Sequence, residues 1–196
     1  MADGVSDTET AILDAALAEV LAHGIRRTTA SDIARRCGVS RQTLYRYWPD
    51  AQSVFAALVT RELVASLPAD VRDPEDLDSL AGLLADTADR VRRLALVDRL
   101  RDTDPELFAR YILERLGSSQ RAIHAETARR IDAGQRAGFV RAGDPAQLAA
   151  MVLLIAQSAV QSAPLVAEWL PEEAWRAELA AALRGYLSPS GGASSR

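Results

Sequence analysis

Residues 28–48 read TTASDIARRCGVSRQTLYRYW, and this stretch decides how the N-terminal part of the chain folds. Thr28 or Thr29 is suited to cap a helix, and Asp32 suits the first turn of that helix electrostatically. Gly38 ends the helix where a tight turn needs a residue that tolerates positive φ. Ser40 is placed to cap a second short helix, which Pro49 closes. This spacing predicts a helix-turn-helix.

The side chains of the two helices and their turn divide into an apolar set and a polar set. We expect the apolar residues to fix the angle between the two helices: Ile33, Cys37, Val39, Leu44 and Trp48. The side chains that remain to face outward are Arg41, Gln42, Thr43, Tyr45, Arg46 and Tyr47. Arginine can fork onto guanine, glutamine can pair with adenine, and threonine can meet a thymine methyl group or a phosphate. The pattern therefore predicts that this helix binds DNA.

The charge distribution agrees with DNA binding although the whole chain is acidic. The 196 residues carry a net charge of −4. Residues 24–48 contain six arginines and one acid, which gives this stretch +5 and leaves −9 for the remainder. Because charges act over a Debye length of about 10 Å, the local charge governs what this surface meets.

Helical periodicity continues through the rest of the chain, and no run of β-branched residues alternates with period two. We predict an all-α protein of about nine helices. Residues 1–50 form a three-helix helix-turn-helix DNA-binding domain, residues 51–187 a helical domain for ligand binding and dimerisation, and residues 188–196 a flexible tail. After the connection at 68–78, the predicted helices are 75–88, 90–102, 104–136, 145–167 and 172–187.

The stretch TTASDIARRCGVSRQTLYRYWPDAQSVFAALV (28–59) closely resembles the DNA-binding part of the TetR family of bacterial transcriptional regulators. The specific matches are the Thr-Thr pair, Ile-Ala at 33–34, Gly-Val-Ser at 38–40 and Thr-Leu-Tyr at 43–45. The resemblance implies a homodimeric regulator, in most cases a repressor, that binds a pseudo-palindromic operator and responds to a small molecule. It also implies that the DNA contacts include Thr28, Thr29, Arg41, Gln42, Thr43, Tyr45, Arg46 and Tyr47.

One position departs from the family pattern. The family usually has a lysine early in its fourth helix that contacts the DNA backbone, and this chain has Ala51 there. One phosphate contact is therefore in doubt, and Arg26, Arg27 or Arg46 are candidates to replace it.

The effector site is less clearly marked than the DNA site. We expect a largely apolar cavity among helices 75–102, 104–136 and 145–167, because the residues there are mainly Leu, Val, Ile and Ala. Phe108 and Tyr111 are the candidate lining residues, with His124 and Gln157 as candidate polar anchors. The alternative is that the two aromatic residues are ordinary core residues.

Other function classes find less support in the sequence. No nucleophile and base pair, metal cluster or phosphate-binding loop supports an enzyme, and neither a cofactor nor a metal is expected. The single cysteine, Cys37, suits a reducing cytosol. The apolar stretch 148–167 is interrupted by polar residues and a proline, so we expect a cytoplasmic protein without a membrane span. A DNA-binding or scaffold protein without a ligand switch remains the alternative.

Overall fold

The structure, a computed structural model, describes residues 3–67, 72–103 and 118–189. Nine α-helices and two short 3-10 helices lie in these ranges, and strands are absent from them. The all-α prediction is therefore confirmed. Grouped by contacts, the described residues form two compact units, one within residues 1–65 and 93–119 and one within 66–92 and 120–196.

The first unit is organised around its N-terminal helix. Its α-helices are α1 (Asp3–His23), α2 (Ala30–Cys37), α3 (Arg41–Tyr47), α4 (Ala51–Ala65) and α6 (Ala95–Thr103), and a 3-10 turn spans Ile25–Arg27. Helix α1 packs on α2, α4 and α6, and α2 packs on α3. The buried side chains at its centre are Ile12, Ala16, Val20, Ile33, Leu44, Val54 and Leu58. Helix α4 thus packs in the same unit as the N-terminal helices. The predicted boundary between the two functional domains at residue 50 stays a prediction.

The second unit contains α5 (Leu77–Arg92), α7 (Ser118–Arg136), α8 (Pro145–Ser162) and α9 (Glu172–Leu187). Helix α5 packs on α8 and α9, and α9 also packs on α8. Their shared core is built from Leu80, Ala85, Ile131, Leu148, Val152, Trp175, Leu183 and Leu187. The same cluster also contains the small side chains of Ala81, Ala88 and Ala149, which allow neighbouring helices to approach closely.

Two predicted helix boundaries are corrected. Helix α5 begins at Leu77 and extends to Arg92, beyond the predicted end at residue 88. The helix predicted over 145–167 ends at Ser162 and continues as a 3-10 turn over Ala163–Val166. Pro164 explains this change, because proline has no N–H for the next helical hydrogen bond and its ring clashes with the preceding turn. Residues 104–117 of the long predicted helix lie outside the described residues.

In the part of the chain that the structure describes, one segment has the length and composition to cross a membrane. This segment is Pro145–Val166, and 22% of its most apolar window is buried. Length and composition are weak evidence for a span, because a core helix of a globular protein passes the same test.

Candidate nucleic-acid interface

The start of α2 is held by two reciprocal hydrogen-bonding residues. The backbone N–H of Asp32 donates to the Thr29 hydroxyl at 3.2 Å, and the Thr29 backbone N–H donates to the Asp32 carboxylate at 3.2 Å. The Thr29 hydroxyl donates to the same carboxylate at 2.5 Å. That hydroxyl, followed by the Arg35 guanidinium, lowers the pKa of Asp32. Thr29 is exposed, so this capping box fixes an accessible hydroxyl at a helix N-terminus.

Thr28 is placed differently from its neighbour. Its side chain is buried at 5% exposure, and its hydroxyl donates to the carbonyl of Gly24 at 2.8 Å. The Thr28 hydroxyl is therefore engaged within the protein, and the prediction that Thr28 contacts DNA stays a prediction. Thr28 secures the turn that leads into α2, and Thr29 alone presents its hydroxyl outward.

The turn between α2 and α3 depends on Gly38. This residue has φ 73° and ψ 21°, in the left-handed region, and its N–H donates to the carbonyl groups of the last turn of α2. The N–H of Val39 then donates to the Ala34 carbonyl at 3.0 Å. A side chain at position 38 would strain this backbone, which is why the sequence has glycine here.

Helix α3 presents two different faces. Leu44 is fully buried and Trp48 is 9% exposed, so these two residues attach the helix to the unit. Ser40 caps the helix by accepting a hydrogen bond from the Thr43 N–H at 3.0 Å. Of the six predicted DNA contacts on α3, four side chains are exposed, namely Arg41, Gln42, Tyr45 and Arg46, and two are partly buried, namely Thr43 and Tyr47.

The outward side chains also contact one another. The Arg41 guanidinium donates to the Tyr45 hydroxyl at 3.2 Å and lies 5.7 Å from the centre of its ring. The Arg46 guanidinium lies 5.3 Å from the ring of Tyr47, whose ring centre is 5.8 Å from that of Trp48. Cation–π contacts of this kind orient arginine side chains without neutralising them.

The arginines of residues 24–48 fall into two groups. Arg35 pairs with Asp32 of its own helix at 2.7 Å, and Arg36 pairs with Glu19 of α1 at 2.6 Å. The second group is Arg27, Arg41 and Arg46, and none of these three arginines pairs with an acid among the described residues. Because Glu19 lies outside residues 24–48, the local charge of +5 expected from the sequence overstates the charge that this surface carries.

Glu19 is a residue that the sequence reasoning missed. It is 6% exposed, although it carries a carboxylate. A signal for it exists in the sequence, because Glu19 lies three residues after Ala16 and seven after Ile12, within the apolar stripe of α1. An acid in such a stripe predicts a buried charge with a partner.

The start of α4 carries the departure from the family pattern. The Asp50 carboxylate caps this helix by accepting from the Ser53 N–H at 2.7 Å. Ala51 follows at the position where the family usually has lysine. Its methyl side chain has no hydrogen-bond donor, so no phosphate contact through a side chain is available there.

Of the four predicted effector residues, the structure describes His124 and Gln157. Phe108 and Tyr111 lie outside the described residues. His124 Nε2 lies 2.9 Å from the Ala146 carbonyl, in the first turn of α8. Gln157 is eleven residues further along α8, about 16 Å at the helical rise of 1.5 Å per residue. The roles of His124 and Gln157 as polar anchors for a ligand stay predictions.

Candidate metal ligands are not grouped in the part of the chain that the structure describes. No group of three or more His, Cys, Asp or Glu residues is arranged there to hold a metal ion. Cys37 is partly buried, and its thiol lies 3.7 Å from the Ala34 carbonyl.

Comparison with known proteins agrees with this geometry. Residues 12–58, which run from the middle of α1 to the middle of α4, match the model of the bacterial regulatory proteins of the tetR family. An uncharacterised HTH-type transcriptional regulator of Mycobacterium bovis is 43% identical over 187 residues, covering 95% of this chain and 98% of the relative.

Solved structures share the same fold at lower identity. The flavonoid-responsive regulator FrrA is 24% identical, with a TM-score of 0.60 and coverage of 95% of this chain and 100% of its own. SmeT, in a complex with triclosan, is 21% identical, with a TM-score of 0.57 and coverage of 97% and 99%. The names of the Mycobacterium bovis relative and of FrrA describe regulators, not enzymes. With this similarity over nearly its whole length, the chain belongs to the TetR family of bacterial transcriptional regulators.

Proposed function

We propose that this protein is a cytoplasmic repressor that binds a pseudo-palindromic operator as a homodimer and is released by a small-molecule effector. Family membership gives a transcriptional regulator. The observation that carries the DNA part of the proposal is the outward face of α3, on which arginine, glutamine and tyrosine side chains are exposed while Leu44 and Trp48 hold the helix in place.

The exposed side chains suit a division between base and backbone contacts. Arg41 and Gln42, in the first turn of α3, carry the groups that pair with guanine and adenine edges in the major groove. Thr29 and Tyr47 offer hydroxyl groups, which suit phosphate oxygens. The Tyr45 hydroxyl accepts a hydrogen bond from Arg41 and so supports the base contact. Arg27 and Arg46 add positive charge that no described acid neutralises.

A selection from a random duplex library with purified protein tests this proposal. We expect an enriched sequence with two related half-sites, about one helical turn or a multiple of it apart. Because cations leave the DNA on binding, the logarithm of affinity should fall linearly with the logarithm of salt concentration. A library that shows no enrichment would refute sequence-specific binding.

The dimer is supported by an uncharged, exposed surface on the second unit. Residues 145–167 contain no charged side chain. Large apolar side chains nevertheless face outward from this segment and the connection that follows it: Met151 at 43% exposure, Leu154 at 62%, Leu165 at 78% and Trp169 at 78%. On α9, small residues are exposed at Ala177, Ala181 and Gly185. Large exposed apolar side chains grouped along one segment favour an interaction surface.

A second copy is the occupant that we propose for this surface, because two DNA-reading heads at fixed spacing are needed to bind two half-sites. Small residues on α9 let the backbone of another helix approach closely, and the apolar residues of α8 exclude water. Sedimentation at micromolar concentration tests this directly. A monomer under those conditions would contradict the proposal.

The effector is expected to be largely apolar. The core of the second unit consists of leucine, alanine, valine, isoleucine and tryptophan side chains, so polar anchors for a ligand are few. The names of two fold relatives are a flavonoid-responsive regulator and a complex of SmeT with triclosan, and flavonoids and triclosan are aromatic and weakly polar. A flavonoid and triclosan are therefore suitable first probes for this protein.

A ligand releases DNA only if it binds the DNA-free arrangement more tightly than the DNA-bound one. Titration should therefore follow operator affinity and melting temperature together. We expect an effector to raise the melting temperature and to weaken operator binding. Compounds that raise the melting temperature and leave operator affinity unchanged would favour the alternative, a DNA-binding protein without a ligand switch.

A further inference from the structure

Glu19 is a buried acid on α1, and both of its oxygens face basic groups. Its Oε1 accepts a hydrogen bond from Arg36 Nε at 2.6 Å, and its Oε2 lies 3.6 Å from His23 Nε2. The Glu19 side chain is 8% exposed and that of Arg36 is 44% exposed. A carboxylate this deeply buried is costly unless it is paired and hydrogen-bonded. The pair with Arg36 meets that requirement.

The pair joins two helices that are separate in sequence. Glu19 lies in the last two turns of α1 and Arg36 in the last turn of α2, seventeen residues apart. The bond therefore fixes the end of α2 against α1 next to the Gly38 turn. Helix α3 has only seven residues and buries only Leu44, so its direction depends on α2 and on that turn.

The neighbouring ion pair of α2 has a different character. Arg35 bonds to Asp32, three residues earlier on the same helix, and its side chain is 73% exposed. A pair within one helix cannot set the angle between two helices, and an exposed pair contributes little to stability. Arg35 is therefore the natural comparison for Arg36, with the same charge and the same helix.

We infer that Glu19 is a positioning residue for DNA recognition, which acts by holding Arg36 and so fixes α2 and the reading helix α3 on α1. This inference rests on the proposed DNA-binding function. Under this inference, Arg36 orients the helix-turn-helix, because Arg36 Nε donates a hydrogen bond to Glu19. The cations released from the DNA on binding are then displaced by other arginines, such as Arg46.

The test uses Glu19→Gln, Arg36→Gln and the double variant, with Arg35→Gln as the matched control. The probe is the duplex that the wild-type protein selects from a random library. Glu19→Gln removes a negative charge, which by itself would strengthen binding to DNA. Weaker binding is therefore diagnostic of lost positioning. We expect each single variant to bind about tenfold more weakly, as loss of a charge-assisted hydrogen bond allows. The double variant should be no weaker than the weaker single variant.

Two further readouts separate positioning from simple charge effects. The salt dependence of Arg36→Gln should equal that of the wild type, whereas a lost phosphate contact lowers the slope by about 0.9. Amide hydrogen exchange in α2 and α3 should be faster in Glu19→Gln and Arg36→Gln and unchanged in Arg35→Gln. If Glu19→Gln does not fold, the comparison of Arg36→Gln with Arg35→Gln decides, since both side chains are substantially exposed.

Several results would overturn the inference. A Glu19→Gln variant that binds DNA as tightly as the wild type would overturn it. Additive losses of affinity in the double variant would also overturn it. A reduced salt slope for Arg36→Gln would make Arg36 a phosphate contact instead. A wild-type protein that selects no duplex would refute the proposed function itself, which is a different outcome from a failure of Glu19 alone.

Discussion

Arg41 donates a hydrogen bond to the hydroxyl of Tyr45 at 3.2 Å, one turn further along α3. Both side chains are exposed, so the contact is made on the surface that we propose for DNA. The guanidinium is thus already oriented before DNA arrives. Orienting a long side chain in advance lowers the entropy lost on binding, by about 0.5–1.5 kcal/mol for an ordered side chain.

The first prediction separates base reading from charge. Arg41→Ala should reduce discrimination at one base pair by about 1–3 kcal/mol if Arg41 pairs with guanine. Tyr45→Phe keeps the ring and removes the hydroxyl, so we expect a smaller loss at the same base pair. Affinities for single-base variants of the selected duplex measure both effects.

Arg27→Ala is the control for this comparison, because Arg27 is exposed and lies outside the reading helix. It should weaken all duplexes alike, since phosphates carry no sequence information. Equal losses on every duplex for Arg41→Ala would assign Arg41 to the backbone.

The second prediction concerns the cap of α2. Thr29→Ala removes the side chain that accepts from the Asp32 N–H, and N-cap losses of this kind cost about 1 kcal/mol. The same substitution removes an exposed hydroxyl at a helix N-terminus, so binding to all duplexes should weaken. Urea unfolding measures the loss of stability, and duplex titration measures the loss of DNA affinity. Unchanged stability would mean that the capping box contributes nothing.

The third prediction follows from the acid in that cap. The pKa of Asp32 is lowered in the folded protein, first by the Thr29 hydroxyl and then by Arg35. Its contribution to stability is therefore present above the ordinary value of 3.8 and is lost as pH falls below it. The difference in melting temperature between wild type and Thr29→Ala should shrink as pH is lowered from about 5 to 3, the range around the model-peptide pKa of aspartate. A difference that stays constant with pH would contradict this assignment.

Local features of the fold were predictable because they depend on near neighbours in sequence. Ser40 and Asp50 cap the helices that follow them, and Gly38 adopts the left-handed conformation expected of it. In each case the partner atoms lie within about four residues, so residue type and spacing suffice.

Features that depend on distant residues were not predictable in the same way. The bond between Glu19 and Arg36 spans seventeen residues and needs the packing of α1 on α2. Thr28 and Thr29 are chemically identical, and only the path of the chain after Gly24 decides which hydroxyl faces inward. The position of His124 against the first turn of α8 likewise depends on how α7 and α8 meet.

The fourth prediction tests the dimer surface. Leu154→Glu places a charge in the middle of the uncharged face of α8, where the leucine is 62% exposed. Folding should be preserved because the side chain faces outward, and association should be lost because a buried unpaired charge is costly. Val64→Glu on α4, at 45% exposure, is the control and should leave the oligomeric state unchanged. Sedimentation that shows both variants in the same state would place the interface elsewhere.

The last prediction concerns a close approach at the end of α7. The chain reverses after Arg136, and the N–H groups of Phe139 and Val140 both donate to the Gly134 carbonyl, at 3.0 and 3.2 Å. A Cβ atom at position 134 would lie 2.5 Å from Val140 Cγ2 and 2.7 Å from Phe139 Cε2. Val140 is 5% exposed and cannot move aside freely. Gly134→Ala should therefore destabilise the fold by about 1–3 kcal/mol, the usual cost of overpacking.

Gly82 in α5 provides the opposite case within the same unit. The nearest atom to a Cβ at position 82 is Arg176 Nη2 at 3.9 Å, which is an ordinary contact. Gly82→Ala should stabilise the protein by about 0.5–1 kcal/mol, because alanine loses less backbone entropy in a helix. Urea unfolding of the two variants should therefore shift in opposite directions. Two shifts of the same sign would show that helix propensity, and not the close approach of Val140, decides the effect at Gly134.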